Sequence, residues 1–242
     1  MGGQPAMEQV KAILFDVFGT VVDWRGSIIR EVSAVGEKLG ISGNWGRFAD
    51  RWRDGYYTGT QDVVNGKREW VSADTLHLER LEILKPEFGL DGLNEEETIQ
   101  LNKAWHRLDP WPDSVKGLTR LKQKYIIVSL SNGNIGLLVN MAKHAGLPWD
   151  IVLSGENFRS YKPDASVYLG AVETLGLKPH EVMIAAAHIT DLQNAKKNGL
   201  STAFIVRPDE FGDGEYKPDL EADENVDVNA SDLLNLAEQL RA

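Results

Sequence analysis

The stretch ILFDVFGTVVDWR, residues 13–25, decides the fold class of this chain. It begins as an unbroken apolar run that ends at Phe15, and a carboxylate, Asp16, follows directly. Unbroken apolar runs are typical of strands buried on both faces of a parallel sheet. The turn after Asp16 carries an aromatic side chain, Phe18, before Gly19. The stretch therefore predicts a buried strand that presents a carboxylate at its carboxyl end.

Four later apolar runs repeat the strand pattern, and segments of helical length separate them. Glycines close these segments at Gly146, Gly176 and Gly199, as they commonly close helices. Alternation of strands and helices predicts an α/β fold with a doubly wound, mostly parallel, Rossmann-like sheet. The four runs are YIIVSLS to Ser131, DIVLS to Ser154, VMIAAA to Ala187 and TAFIV to Val206.

The long segment between the first two strands has no strong strand pattern and is rich in tryptophan. Apolar periodicity predicts helices that start near Asn44, over residues 67–84, and from Asn94, where Glu97 completes a capping-box spacing. Ligands bind outside the carboxyl ends of parallel strands, so a helical cap over those ends is expected. We predict an α/β core from residues 1–21 and 113–242, and a helical cap from residues 22–112.

Composition limits the classes of function. The chain has 242 residues, a net charge of −10 and no cysteine. The acidic balance argues against nucleic-acid binding, although it permits a small anionic substrate. The lack of cysteine excludes disulfides and thiol nucleophiles and predicts a cytoplasmic location. No apolar run is long enough for a membrane span, and the first residues, expected to be a loose tail at 1–6, lack the pattern of a signal peptide.

Polar side chains stand where the predicted strands end. The carboxyl ends of parallel strands meet at one edge of a sheet, so these side chains are expected to form one site. They supply two carboxylates, one ammonium group, and hydroxyl and amide groups. The set is Asp16 and Thr20 after the first strand, Ser131 and Asn132 at the second, Lys162 after the third, and His188 and Asp191 after the fourth.

The motifs FDVFGT, SNG and YKPD followed by VY occur in this order in the chain. In the order and spacing of these motifs, the sequence from about Ala12 to Val206 resembles the haloacid dehalogenase superfamily and, within it, the type II L-2-haloacid dehalogenases. The resemblance implies conversion of short-chain (S)-2-haloacids to 2-hydroxy acids and halide, with inversion at C2 and without a cofactor. It also implies a small halogenated carboxylate as substrate and, as a possibility, a homodimer.

The resemblance also implies roles for individual residues. Asp16 would be the nucleophile that forms an ester, Asp191 the base that activates water, and Arg53 the cap cation that accepts halide or clamps the substrate. Arg47 and Arg51 are alternatives to Arg53. Lys162 would keep Asp16 ionised, together with backbone N–H groups of the turn 17–20, and Thr20 belongs to the same catalytic set. The expected substrate-binding residues are Val17, Phe18, Ser131, Asn132 (a further halide donor), Tyr168 and His188.

Two positions separate halide chemistry from phosphate chemistry. Phosphatases of the superfamily carry a second Asp, which protonates the leaving group, where this chain has Phe18. Phe cannot transfer a proton, and a halide ion needs none. Ala187 stands where such phosphatases carry the first acid of a metal pair, which leaves Asp191 alone. The sequence therefore predicts no metal and disfavours the alternative of a small-molecule phosphatase.

His188 is the main departure from the better-known relatives, which carry Ser-Ser-Asn where this chain has Ala186, Ala187 and His188. The ring is interpreted either as structural, or as part of the leaving-group pocket, or as a group that positions water. Because imidazole is bulkier than carboxamide, a tighter halide pocket and activity on fluoroacetate are a second hypothesis. A non-catalytic binding protein is the third, and the set of Asp16, Lys162 and Asp191 disfavours it.

Overall fold

The computed structural model describes residues 9–222 and 224–242. The predicted tail at residues 1–6 lies outside this range. Among the described residues, no helix combines the length and the apolar character that crossing a membrane requires.

The described residues form eight strands, of which six make one central sheet. They are β1 (Ala12–Phe15), β2 (Val22–Asp23), β3 (Asp109–Pro110), β4 (Ile126–Ser131), β5 (Ile151–Ser154), β6 (Val182–Ala186), β7 (Ser201–Ile205) and β8 (Val228–Ala230). The central sheet has the order β5–β4–β1–β6–β7–β8, and each neighbouring pair is parallel. All residues of β1 and β6 are buried, which explains why their sequences are apolar without alternation.

Nine α-helices lie in the described part of the chain. They are α1 (Trp24–Leu39), α2 (Trp45–Val64), α3 (Ala73–Leu84), α4 (Glu95–Asn102), α5 (Ser114–Leu121), α6 (Ile135–Ala145), α7 (Ala165–Thr174), α8 (Ile189–Lys197) and α9 (Leu233–Gln239). After β1, the chain adds β4 and β5 on one side of that strand, and then β6, β7 and β8 on the other side. The direction of winding reverses at β1, and such a reversal opens a crevice at the carboxyl ends of the strands. The predicted doubly wound α/β fold is confirmed.

Helices α1 to α4 occupy the segment between β1 and β4. Asn44 caps α2 by accepting from the backbone N–H of Arg47 at 2.9 Å, and Asn94 and Glu97 form the expected capping box. At the two ends of the segment, β2 and β3 pair antiparallel, with Val22 opposite Pro110. The ends of the helical segment therefore leave the core side by side, close to the predicted limits of residues 22–112.

The structure corrects several sequence-based expectations. The helix expected over residues 67–84 begins only after Ser72, whose hydroxyl caps α3 by accepting from the N–H of Thr75 at 3.2 Å. The strands β2, β3 and β8 and the helix α9 were not expected. The three strands have two or three residues each, so periodicity cannot reveal them, and pairing with distant segments creates them.

Candidate active site

A cleft of about 340 Å³ lies at the carboxyl ends of β1, β4 and β6. It brings together residues that the sequence predicted from four different strand ends and from α2. The predicted residues that line it are Asp16, Phe18, Arg53, Ser131, Asn132, Lys162, Tyr168, His188 and Asp191. The topology thus assembles most of the expected site.

Asp16 follows β1 and is 7% exposed. Its Oδ1 accepts from the Lys162 ammonium at 2.9 Å, and its Oδ2 accepts from the Thr20 hydroxyl at 2.7 Å and lies 3.1 Å from Nδ1 of His188. Burial opposes ionisation of this carboxyl, yet Lys162 and His188 hold the pKa of Asp16 well below its usual range. Asp16 is therefore a buried carboxylate, ionised at neutral pH, that faces the cleft.

Of the backbone N–H groups 17–20 that were expected to hold Asp16, the one of Gly19 binds elsewhere, and the two amides that follow the turn also bind its own carbonyl groups. The N–H of Gly19 donates to the carbonyl of Val22, and those of Val21 and Val22 donate to the carbonyl of Val17. These amides stabilise the turn itself because it closes tightly on its own carbonyl groups. The hydrogen bonds that Asp16 accepts come from side chains instead.

Lys162 joins the two carboxylates of the site. Its ammonium donates to Asp16 at 2.9 Å and to Oδ2 of Asp191 at 2.5 Å, while Tyr168 donates its hydroxyl to Oδ1 of Asp191 at 2.6 Å. Burial alone would lower the pKa of Lys162, but the two carboxylates raise it above its ordinary value. Lys162 therefore stays charged. Tyr168, expected to face Lys162, instead orients Asp191.

The loop after β4 holds the backbone of Lys162. Asn132 accepts from the backbone N–H of Lys162 at 2.7 Å and donates its amide to the carbonyl of the same residue at 3.2 Å. The Ser131 hydroxyl accepts from the N–H of Gly133 at 3.1 Å. Asn132 therefore positions the backbone of Lys162, and the predicted contact with halide depends on its second amide hydrogen alone.

Phe18 lies at the floor of the cleft, 8% exposed. Its ring packs edge-on against Tyr56 and Trp105, with centroids 6.3 Å and 5.8 Å away. An apolar ring in this place offers no group that could protonate a leaving alkoxide. The position of Phe18 thus lacks the acid that phosphatases of the superfamily carry there.

Comparison with known proteins agrees with this geometry. The family of haloacid dehalogenase-like hydrolases matches residues 10–199. This chain belongs to that family. It is 46% identical to the solved defluorinating L-2-haloacid dehalogenase Rha0230, with a TM-score of 0.93 over 98% of both chains. It is 47% identical to the L-2-haloacid dehalogenase PA0810, with a TM-score of 0.89 over 96% of this chain and 99% of that one.

A curated relative extends the similarity. The chain is 29% identical to "(S)-2-haloacid dehalogenase 4A" of Burkholderia cepacia, over 88% of this chain and 90% of the relative. The predicted membership of the haloacid dehalogenase superfamily, of the L-2-haloacid dehalogenase type, is confirmed.

Of the three candidate arginines in the helical segment of this hydrolase, Arg53 lines the cleft. Its guanidinium lies over the ring of Trp24, 4.8 Å from the centroid, and 3.7 Å from a carboxylate oxygen of Glu210. The alternatives Arg47 and Arg51 pair with Glu87 and line no part of the cleft. Stacking on an aromatic ring fixes the direction of a planar guanidinium, so Arg53 is held facing the cleft.

His188 lies between two carboxylates. Its Nδ1 is 3.1 Å from Oδ2 of Asp16, and its Nε2 is 3.0 Å and 3.1 Å from the two oxygens of Glu210. Burial would lower the pKa of the ring, but Glu210 and Asp16 raise it to about 10. His188 is therefore an imidazolium at neutral pH.

Sequence reasoning missed Glu210. This carboxylate is 1% exposed, accepts from Nε1 of Trp24 at 3.2 Å, and pairs with His188 and Arg53. It lies in the loop after β7, in the segment RPDEFGDGE, where four acids occur within seven residues. No sequence signal distinguishes it from the other three, which is why only the structure reveals it.

Two predicted residues do not line the cleft. The side chain of Val17 is fully buried in the core, so its expected contact with substrate is wrong for the side chain. Thr20 is also fully buried; its hydroxyl donates to Asp16 and accepts from the N–H of Ala187 at 2.8 Å, which links β1 to β6. Thr20 therefore contacts Asp16 and does not reach the cleft.

Among the described residues, no group of three His, Asp or Glu side chains is arranged to hold a metal ion. The space between Asp16 and Asp191 holds the ammonium of Lys162. The residues of this site thus supply their own positive charge at the place where the two carboxylates meet.

We expect Gly19→Ala to destabilise this hydrolase more than Gly40→Ala. Both glycines have positive φ, +85° and +69°, which costs an L-residue about 1–2 kcal/mol. At Gly19 an added Cβ would also lie 2.2 Å from Oε1 of Glu210, whereas at Gly40 it meets no atom within 4 Å. Urea unfolding should show a larger loss of unfolding free energy for Gly19→Ala. Equal losses would mean that Glu210 does not occupy this position.

Proposed function

We propose that this hydrolase converts short (S)-2-haloacids to 2-hydroxy acids and halide through an ester on Asp16, with inversion at C2. The observation that carries the proposal is an ionised, buried Asp16 that faces a small cleft beside Phe18 rather than beside a second acid. The names of the relatives, (S)- and L-2-haloacid dehalogenases, support the same reaction.

In the first step, a carboxylate oxygen of Asp16 attacks C2, and the carbon–halogen bond breaks as the new carbon–oxygen bond forms. The halide leaves with the electron pair and needs no proton. Lys162 and His188 each lie between two carboxylates, whereas Arg53 approaches only Glu210, at 3.7 Å. Arg53 is therefore the cation best able to attract an anion, either the substrate carboxylate or the departing halide.

In the second step, water attacks the carbonyl carbon of the ester. Asp191 accepts the proton of that water, because Lys162 and Tyr168 hold it as an oriented carboxylate at the edge of the cleft. The proton then passes to the oxygen of the product as the ester bond breaks. In the first turnover, the hydroxyl oxygen of the product comes from Asp16.

The proposed enzyme works without a metal, because the ammonium of Lys162 supplies the charge between the two carboxylates. We also propose that residues 22–112 form a cap that covers the cleft and limits the size of the substrate. Arg53, Tyr56 and Tyr57 of α2, which line the cleft from this segment, support that role. The homodimer and the cytoplasmic location stay predictions.

The test compares two reactions of the purified chain. We expect halide release from L-2-chloropropionate in the presence of a chelator, little release from the D-enantiomer, and no magnesium-dependent phosphate release from a small phosphate ester. Phosphate release without halide release would refute the proposal in favour of a phosphatase. Absence of both would favour a binding protein.

Activity on fluoroacetate is a second candidate function. The observation that favours it is the 46% identity and the TM-score of 0.93 to a solved defluorinating dehalogenase. Fluoride-electrode measurements on fluoroacetate, with heat-inactivated protein as the blank, test this candidate. Release at the blank rate, from protein that dechlorinates L-2-chloropropionate, would exclude it.

A further inference from the structure

Both ring nitrogens of His188 are occupied. Nδ1 lies 3.1 Å from Asp16, and Nε2 lies within 3.1 Å of both oxygens of Glu210. Each partner is a carboxylate, which only accepts, so the ring must donate on both sides. His188 therefore has no free N–H for a departing halide and no free lone pair to activate water. The ring still lines the cleft, so its place in the leaving-group pocket stays a prediction, without a hydrogen bond to the halide.

The two oxygens of Asp16 have different surroundings. Oδ1 accepts one hydrogen bond, from Lys162, whereas Oδ2 has two donors, Thr20 at 2.7 Å and His188 at 3.1 Å. Hydrogen bonds withdraw electron density from an oxygen, so Oδ1 is the better nucleophile of the pair. If Oδ1 bonds to C2, Oδ2 remains as the carbonyl oxygen of the ester, still facing its two donors.

On the basis of the proposed function, we propose that His188 and Thr20 form an oxyanion hole for hydrolysis of the Asp16 ester, and that Glu210 is the positioning residue that holds His188 in it. Water adds to the carbonyl carbon, and its proton goes to Asp191 while the carbonyl electron pair moves to Oδ2. Collapse restores the carbonyl, breaks the bond to Oδ1 and returns the proton to the product oxygen. The N–H of an imidazolium is a strong donor to such an oxyanion.

The surroundings of Glu210 suit a positioning role. It is 1% exposed, and Nε1 of Trp24 at 3.2 Å fixes one of its oxygens. The negative groups in direct contact with His188 keep the ring charged, and they raise its pKa to about 10. Two charged groups contact His188, namely Asp16 after β1 and Glu210 in the loop after β7. Lys162 pairs with Asp16, and Arg53 pairs with Glu210. Two further acids, Asp191 and Asp219, line the same cleft.

The experiment separates the two steps in Glu210→Gln and in His188→Leu, which removes the N–H donors of the ring. Rapid quench of each variant with L-2-chloropropionate should show a burst of about one chloride per enzyme, followed by turnover about 10- to 100-fold slower than that of the parent. Intact-mass analysis should show the ester accumulating, located on the peptide that contains Asp16. Asp213→Asn, an exposed acid of the same loop that pairs with Arg25, is the matched control and should behave as the parent.

The pH profile adds a readout that a structural defect would not move. Deprotonation of His188 should reduce the turnover of the parent along an alkaline limb below about 10, the pKa of the ring beside ionised Asp16, because the ester removes the charge of Asp16. Lys162 does not account for this limb, because the adjacent carboxylates raise its pKa further above that range. Without the charge of Glu210, the pKa of His188 falls, so Glu210→Gln should shift the alkaline limb to lower pH.

The outcomes are distinct. A slower burst with no ester accumulation in either variant would place the defect in the first step and overturn the inference. If the loss in the double variant His188→Leu/Glu210→Gln is the product of the two single losses, Glu210 does not act through His188, and the inference is overturned as well. If Glu210→Gln does not fold, His188→Leu still decides the oxyanion role. A parent chain that releases no halide refutes the proposed function, and this inference with it.

Discussion

Asp16→Asn should lower the rate of halide release by at least about 10⁴-fold, a loss of the size seen when a nucleophile is removed from other hydrolases. An amide is too weak a nucleophile to displace chloride from C2. The amide has one oxygen, which can accept either from Lys162 or from Thr20 and His188, so some stability is lost although the side-chain volume is kept. Chloride release from L-2-chloropropionate, with far-UV circular dichroism as a check of folding, measures the effect.

Asp62→Asn is the control for Asp16→Asn, because Asp62 is a surface acid of α2 paired with Lys67 at 3.5 Å. It should keep the full rate. As a second readout, turnover of the parent in ¹⁸O-water should place label in the peptide that contains Asp16, since solvent oxygen replaces the oxygen given to the product. Full activity of Asp16→Asn, or an unlabelled peptide after many turnovers, would contradict the ester mechanism.

Lys162→Met should reduce halide release by about 10³-fold and the free energy of unfolding at neutral pH by about 3 kcal/mol. The ammonium is 9% exposed and binds Asp16 and Asp191 together. Without it, no ammonium separates the two carboxylates, although Asp16 still has Thr20 and His188 as donors. The pKa of one carboxyl must then rise, which leaves the nucleophile partly protonated. Steady-state halide release and urea unfolding measure the two effects.

The stability defect of Lys162→Met should also depend on pH. In the parent, the folded pKa of Asp16 lies below its unfolded value of 3.8, so its ionisation stabilises the fold above about pH 4 and less as the pH falls further. The variant lacks that contribution, so the two unfolding free energies should converge in acid. Lys85→Met is the matched control, a largely buried lysine of the helical segment that binds Glu82 at 3.1 Å. A gap that stays constant with pH would contradict the assigned pairing.

The sequence was enough to predict the sheet and most of the cleft. Unbroken apolar runs reveal strands buried on both faces, and parallel strands all end at the same edge. A polar residue directly after such a run is therefore expected at that edge of the sheet. This reasoning correctly brought Asp16, Lys162 and Asp191 together, although more than a hundred positions separate the first two.

The sequence did not determine the hydrogen-bond partners of several groups in the site. Periodicity does not show whether the backbone amides beyond Asp16 bind its carboxylate or their own turn, and they close the turn. Likewise, a tyrosine at helical spacing could face either end of the Lys162–Asp191 pair, and Tyr168 binds Asp191. These choices depend on distances of a few tenths of an ångström, which packing sets.

By itself, then, the sequence determined the α/β fold, the position of the Asp16 carboxylate at the end of β1 and the absence of an acid at Phe18, because each depends on residue type and on the order of strands. The tertiary structure alone decided the state of His188. Its charge comes from Glu210, a residue in an irregular loop 22 positions away, and only folding buries that carboxylate against the ring. Burial and pairing create the charge, and neither property belongs to a residue before the chain has folded.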